Sequence, residues 1–287
     1  MAEERSSIII SVFSTTPGIG KTVTAINLSA GLAKEGYKVC LVDLDLQFGD
    51  VLNYLHLSSE MSKAKVHWET NVDINDFEAK DFLLTYKYDS LNFAVMPPPA
   101  HLYDAYQANV SHIETFIKQL TYFDFVVLDL NSAFSSLNLA MLDISTIINF
   151  LGVIDFLPAL KNFKIGYDTL IRFNYEESKI RLIENRADSQ KLINGRDVER
   201  LVGETFYHRL PNDFPSVNKS INQGIPLMFV APNSKLTASF YELTGKYTNR
   251  INPTDEDLNK VKTAGIGFFS KILSFFSRRL SFLFGTR

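Results

Sequence analysis

The sequence predicts a doubly wound α/β fold, a mostly parallel sheet with helices on both faces. Three observations predict it. Short apolar, β-branched runs alternate along the chain with stretches of helical periodicity. The first such run leads through a glycine-rich turn straight into a helix. Two later runs end in aspartate, where acidic groups serving a bound ligand would sit at the carboxyl ends of neighbouring strands. The chain has 287 residues, 46% of them hydrophobic and 21% charged, which is globular and not disordered composition.

The elements follow in order. Residues 7–13 read as a buried strand stopped by Ser, Thr, Pro and Gly, and 22–34 as a helix with Gly36 beyond its end. Further strands are expected at 38–43, 91–96, 125–129, 146–152, 180–184 and 204–208, the last closed by Pro211. Helices are expected at 110–122 and 157–173. Between 58 and 88 the pattern suggests helices and a surface excursion. Residues 1–248 are thus one domain, 249–263 a polar linker and 264–287 a separate C-terminal helix.

Several function classes are disfavoured. With 29 basic against 32 acidic residues, net charge −3, DNA is not an expected partner. The single cysteine, Cys40, sits in an apolar run and suits the core of an intracellular protein. The N-terminus does not read as a signal peptide, and no apolar stretch reaches the ~20 residues needed to span a bilayer. The five histidines have no zinc-ligand spacing, and no nucleophile-elbow pattern occurs.

The turn after the first strand is Thr15-Thr-Pro-Gly-Ile-Gly-Lys-Thr22. Gly20, Lys21 and Thr22 match the end of the phosphate-loop pattern, although Thr15 replaces its first glycine. Gly18 and Gly20 allow backbone N–H groups to curl around a phosphate, and the helix N-terminus adds partial positive charge. Lys21 can reach the β- and γ-phosphates, and the Thr22 hydroxyl can ligate Mg²⁺. The loop contacts expected for ATP are Pro17, Gly18, Ile19, Gly20, Lys21, Thr22 and Val23. Asp129 ends an apolar strand and is placed to serve Mg²⁺; Asp43 or Asp45 would complete the metal shell or orient a water.

These segments together resemble the MinD/ParA superfamily of deviant Walker ATPases, P-loop proteins. Within it they are most similar to the CpaE/TadZ branch, localisation ATPases of Tad-type pilus assembly. The resemblance rests on the phosphate loop, on Val42-Asp-Leu-Asp-Leu-Gln-Phe-Gly-Asp50, on Phe123 to Leu130, on Asn185-Arg-Ala-Asp188, on Leu210-Pro-Asn-Asp213, on Asn222 to Pro226 and on Ala231-Pro232. It implies an ATP-dependent homodimer that binds a membrane and recruits pilus or secretion machinery proteins. It implies that Lys21 and Asp45 are catalytic, that Thr22, Asp43 and Asp129 serve the metal, and that Asn185 reads adenine with Arg186 and Pro211 beside it. Two departures stand out. Thr16 and Pro17 occupy the positions of the superfamily's signature Lys and its neighbouring Gly, so slow hydrolysis is expected, because a cation supplied across an interface is worth ~10³-fold or more in related chemistry. The first strand also starts too early for the receiver-like domain that often precedes this core.

Residues 265–284 place Gly267, Ser270, Lys271, Ser274, Ser277, Arg278 and Ser281 on one helical face, opposite Phe268, Phe269, Ile272, Leu273, Phe276, Leu280 and Leu283. No acid follows Asp257, while Lys and Arg recur. A basic, Phe-rich amphipathic helix fits an anionic membrane surface, at the inner face of the cell membrane for a cytoplasmic protein. Three readings stay open. They are a membrane-associated localisation ATPase, a nucleotide-dependent scaffold that hardly hydrolyses, and a division-site, flagellar-placement or DNA-partition ATPase of the same superfamily.

Overall fold

A computed structural model describes residues 6–59, 83–188 and 195–248. The chain divides into one compact unit, 1–244, and a second, 245–287, most of which lies outside the described residues. The expected linker and the expected C-terminal helix also lie outside them.

The elements are β1 (Ile8–Phe13), α1 (Lys21–Lys34), β2 (Val39–Asp43), α2 (Val51–Tyr54), β3 (Leu84–Tyr88), β4 (Leu91–Met96), α3 (Leu102–Gln107), α4 (Val110–Gln119), β5 (Phe125–Asp129), α5 (Ser136–Ile144) and β6 (Ile147–Gly152). There follow α6 (Leu157–Arg172), β7 (Ile180–Asn185), α7 (Gly195–Val202), β8 (His208–Leu210), α8 (Phe214–Gln223), α9 (Leu227–Val230) and α10 (Lys235–Tyr247). The strands form one sheet in the order β3-β4-β2-β5-β1-β6-β7-β8, parallel except for β3. This is the expected doubly wound architecture.

Alternation divides the strand side chains between two faces. Ile9 and Phe13 of β1, Cys40 and Val42 of β2, Val126 and Leu128 of β5, and Ile148 and Phe150 of β6 share one buried cluster with Ile117 of α4, Met141 of α5 and Phe163 of α6. The intervening Ile10, Val12, Leu41 and Val127 point to the other side, where α1 packs on β1, β2, β4 and β5. Nine consecutive α1 residues, Thr24 to Leu32, are buried, so this helix is covered on its outer side as well. A Cβ on Gly31 would stand 2.4 Å from Thr244 Oγ1, which is why α10 can cross α1 so closely. Each fully buried Leu or Ile here contributes about 1.5–3 kcal/mol.

Three expectations are corrected. Within 58–88, where helices were expected, residues 84–88 form a strand; residues 60–82 lie outside the described residues. Leu84 and Tyr86 are buried between exposed neighbours, the period of a half-buried edge strand, and Asp89 (φ 52°) turns the chain into β4. The last strand is His208–Leu210 rather than 204–208. Its ladder with β7 pairs Ile183 with His208 and Asn185 with Leu210, and Arg209 bonds the buried Glu184 at 2.9 Å. Helix α4 stops at Gln119, short of Tyr122. No helix among the described residues is long and apolar enough to cross a membrane.

Candidate nucleotide site

Strand order creates the site. β2, β5 and β1 lie side by side, and register sets Asp43 directly against Asp129 and Val12 against Asp129. The loop from β1 to α1 therefore leaves the sheet beside two carboxylates that are far apart in sequence.

The loop needs its glycines. Gly18 (φ 71°) and Gly20 (φ 97°) both take left-handed backbone, and Gly20 ends the loop where α1 begins. A Cβ on Gly20 would stand 2.6 Å from Asn185 Nδ2. The loop carbonyls are claimed from outside. Asn185 Nδ2 donates to Ile19 O at 2.6 Å, Arg186 Nη2 donates to Gly18 O at 2.9 Å, and Thr24 N and Oγ1 donate to Gly20 O. A loop that offers N–H groups to an anion requires its carbonyls to be satisfied elsewhere. Asn185 also accepts from Arg186 N at 3.0 Å, so both ends of its amide are engaged with protein. Pro211 follows Leu210, which pairs with Asn185. Ile19 is a buried core side chain, so only its backbone faces the loop, whereas Pro17 and Gly18 are exposed. Val23 lies in the first turn of α1, its carbonyl accepting from Asn27 Nδ2.

The acidic floor is the electrostatic opposite. Asp129 is buried, its Oδ1 has no hydrogen-bond partner, and the Thr22 side chain hydrogen-bonds to the carboxylate. Burial pushes the Asp129 carboxyl up to about 7, partly countered by the Thr22 bond and the Lys21 charge. Asp43 is also buried and held well above the carboxylate range, first by burial and then by Asp129, although it accepts from Val51 N at 3.1 Å and Asp45 N at 3.2 Å. Gly49 is required there, since a Cβ would stand 2.4 Å from Asp43 Oδ2. Asp45 accepts from Phe48 N at 3.3 Å. Burial lowers the Lys21 ammonium, while Asp129 and Asp45 raise it. The structure thus gathers Lys21, Thr22, Asp43, Asp45 and Asp129, and sets Asn185, Arg186 and Pro211 on the outer side of the loop.

The described residues hold no group of three or more metal-ligating side chains. What they hold is a hydroxyl and an orphaned carboxylate oxygen side by side. Such a pair suits Mg²⁺, which takes one or two protein ligands and completes its shell with phosphate oxygens and water.

Other participants were not legible as site residues. Ser132 accepts from Lys21 Nζ at 2.6 Å and lies 3.3 Å from Ser14 Oγ. Thr15 donates to Asn162 O at 2.7 Å on α6. Val51 N at the start of α2 donates to Asp43 Oδ2 at 3.1 Å, which sets α2 against the acidic floor, and the Tyr54 phenol of α2 is raised by burial, then by Asp50 and Asp129. The one signal for Ser132 was its place just beyond the strand that ends in Asp129.

A family described as AAA domain matches residues 7–150. The chain belongs to this family. It is 22% identical over 277 residues to the septum site-determining protein MinD of Thermotoga maritima, covering 94% of this chain and 97% of MinD. Its fold superposes on a ParA family ATPase from Chlorobium tepidum with TM-score 0.71 at 20% identity, over 83% of this chain and 99% of the other. It also superposes on MinD from Pyrococcus horikoshii, complexed with Mg-ADP, with TM-score 0.69 at 20% identity, over 86% and 98%. The fold is that of the MinD and ParA ATPases.

Proposed function

We propose that this chain binds ATP with Mg²⁺ and acts as a membrane-associated localisation or assembly factor similar to CpaE/TadZ, dimerising across ATP with slow hydrolysis. The observation that carries nucleotide binding is the gathering of Lys21, Thr22, Asp43 and Asp129 around a glycine loop whose carbonyls are already satisfied. Lys21 would hold the phosphates, and Thr22 with Asp129 would hold the metal. The Mg²⁺ would neutralise charge on the transferring phosphoryl group. Asp45 orients water. Asn185 serves adenine through the second N–H of its amide while the first stays on Ile19 O, with Arg186 and Pro211 flanking it. Thr16 cannot supply a cation to a transition state, which favours binding over turnover. The basic amphipathic pattern of residues 265–284 supports peripheral attachment to anionic membrane at the cytoplasmic face.

A second reading is division-site placement. It is favoured by the Thermotoga MinD, which is matched over nearly its whole length. DNA partition is disfavoured by the net charge of −3.

The test is ATP binding and turnover by the full chain, with and without anionic liposomes, beside Lys21→Ala and a chain ending at Asn259. Expected are Mg²⁺-dependent binding lost in Lys21→Ala, little unassisted turnover, and liposome binding lost on truncation with nucleotide binding kept. Binding that survives Lys21→Ala would sink the nucleotide assignment. Liposome binding by the truncated chain would sink the membrane one.

A further inference from the structure

The Lys21 ammonium already has a partner. Its Nζ donates to Ser132 Oγ at 2.6 Å, Ser132 Oγ lies 3.3 Å from Ser14 Oγ, and Ser14 donates to Thr16 O at 2.8 Å. One hydrogen-bonded line therefore joins the loop after β5, Lys21, the end of β1 and position 16. The loop carrying Ser132 is braced. Asn138 Nδ2 on α5 lies 2.6 Å from Ala133 O and 2.8 Å from Asn131 Oδ1, and Ala133 N donates to Asn131 Oδ1 at 3.1 Å. Ser132 is thus held between fixed neighbours and is itself half-buried.

An ammonium carries three N–H groups, and Ser132 accepts one. In a loop of this type the other two reach the β- and γ-phosphates. The hydroxyl of Ser132 keeps its own proton for Ser14 or for a phosphate oxygen. Ser132 also lies in the loop just beyond Asp129, the end of β5, whose carboxylate meets Thr22, whereas Asn185 and Arg186 grip the carbonyl side of the phosphate loop. The hydroxyl therefore stands at the Lys21 and metal-ligand end of the site.

We propose that Ser132 is a positioning residue that aims Lys21 at the terminal phosphate and makes the site prefer a nucleoside triphosphate to a diphosphate. This rests on the nucleotide-binding reading of the same site. The experiment titrates the full chain, in Mg²⁺, with fluorescent ADP and a fluorescent, slowly hydrolysed ATP analogue. It compares the native chain with Ser132→Ala, Ser132→Thr and Lys21→Ala, each checked by thermal melting. Ser132→Ala should weaken the triphosphate about tenfold and the diphosphate by less than about twofold, the scale of one lost hydrogen bond at a charged group. Ser132→Thr, which keeps the hydroxyl, should keep the preference. Where the alanine variant does not melt cooperatively, the near-isosteric Ser132→Cys is read in its place. An unchanged triphosphate-to-diphosphate ratio in the hydroxyl-free variant, or a ratio lost in Ser132→Thr, overturns the proposal. If Lys21→Ala loses both nucleotides while that ratio stays fixed, the nucleotide reading stands and the role of Ser132 falls. If the native chain binds neither nucleotide, both fall.

Discussion

The two sides of the phosphate loop differ in how well their polar groups are satisfied. On the outer side, Asn185 and Arg186 tie down the carbonyls of Ile19 and Gly18 at 2.6 and 2.9 Å, and both ends of the Asn185 amide are used. On the inner side, Asp129 is buried with an oxygen that has no partner, beside a second buried carboxylate. Folding alone would not keep such a pair, because burying two neighbouring acids, one with an oxygen left unbonded, costs free energy that apolar side chains would not. The satisfied side braces the loop. The unsatisfied side is where the proposed Mg²⁺ and phosphates would sit.

The sharpest way to break this contrast is Lys21→Ala. It removes a basic group that the acids of the floor pull upward, and should weaken triphosphate binding by ~100-fold, the scale of one or two charge-assisted hydrogen bonds. Equilibrium titration measures it, and a loss below tenfold would mean the floor does not receive phosphate.

Asp129→Asn comes next and should act with opposite signs on stability and on metal use. Without ligand, in a chelator, the variant should be more stable by ~1–3 kcal/mol at pH 8, since an unsatisfied buried charge has gone. The pH dependence follows from the raised carboxyl. The folded protein holds the Asp129 proton up to about 7, whereas an unfolded aspartate releases it near ~3.9. The folded state therefore binds more protons across that window, and stability falls as pH rises through it, then levels off. Asp43 acts in the same sense. Denaturant melts from pH 5 to 8.5 should show this slope in the native chain and a shallower one in Asp129→Asn. Magnesium should no longer strengthen nucleotide binding by the variant.

On the scaffold side, Gly20→Ala should cost ~1–2 kcal/mol for left-handed backbone, with a further cost from the close approach of Asn185. Combining it with Asn185→Ala should recover only the second part, and full recovery would show that the backbone is not strained. The smallest effect expected is that of Arg186→Ala, ~0.5–1 kcal/mol in thermal stability for one half-exposed hydrogen bond. A larger loss of nucleotide affinity than of stability would move Arg186 from the scaffold to the ligand.

Much of this is legible in the sequence. The Gly-Lys-Thr turn sits where expected, because glycine punctuation and the change from strand to helix periodicity are local signals. Asp43 and Asp129 were legible as acids ending apolar strands. Strand β3 escaped because its Leu-Thr-Tyr-Lys-Tyr alternation is short and follows an ambiguous polar stretch. Strand β8 lies later than its apolar pattern predicts, since Phe206 is buried in the core cluster without joining the ladder and carries the apolar signal upstream. Ser132 escaped because a serine in a loop has no pattern of its own; only its distance from Lys21 marks it.

The sequence by itself determined the alternation of elements, the glycine loop, the acids at strand ends and the absence of a cation at Thr16. These depend on residue type and on spacings of a few residues. Tertiary structure alone decided that β2 lies beside β5 so that Asp43 meets Asp129, that Asn185 reaches Ile19 across 166 positions, and that Ser132 takes the Lys21 ammonium. Strand order and register are settled by packing the whole sheet against its helices, and no local spacing along the chain records them.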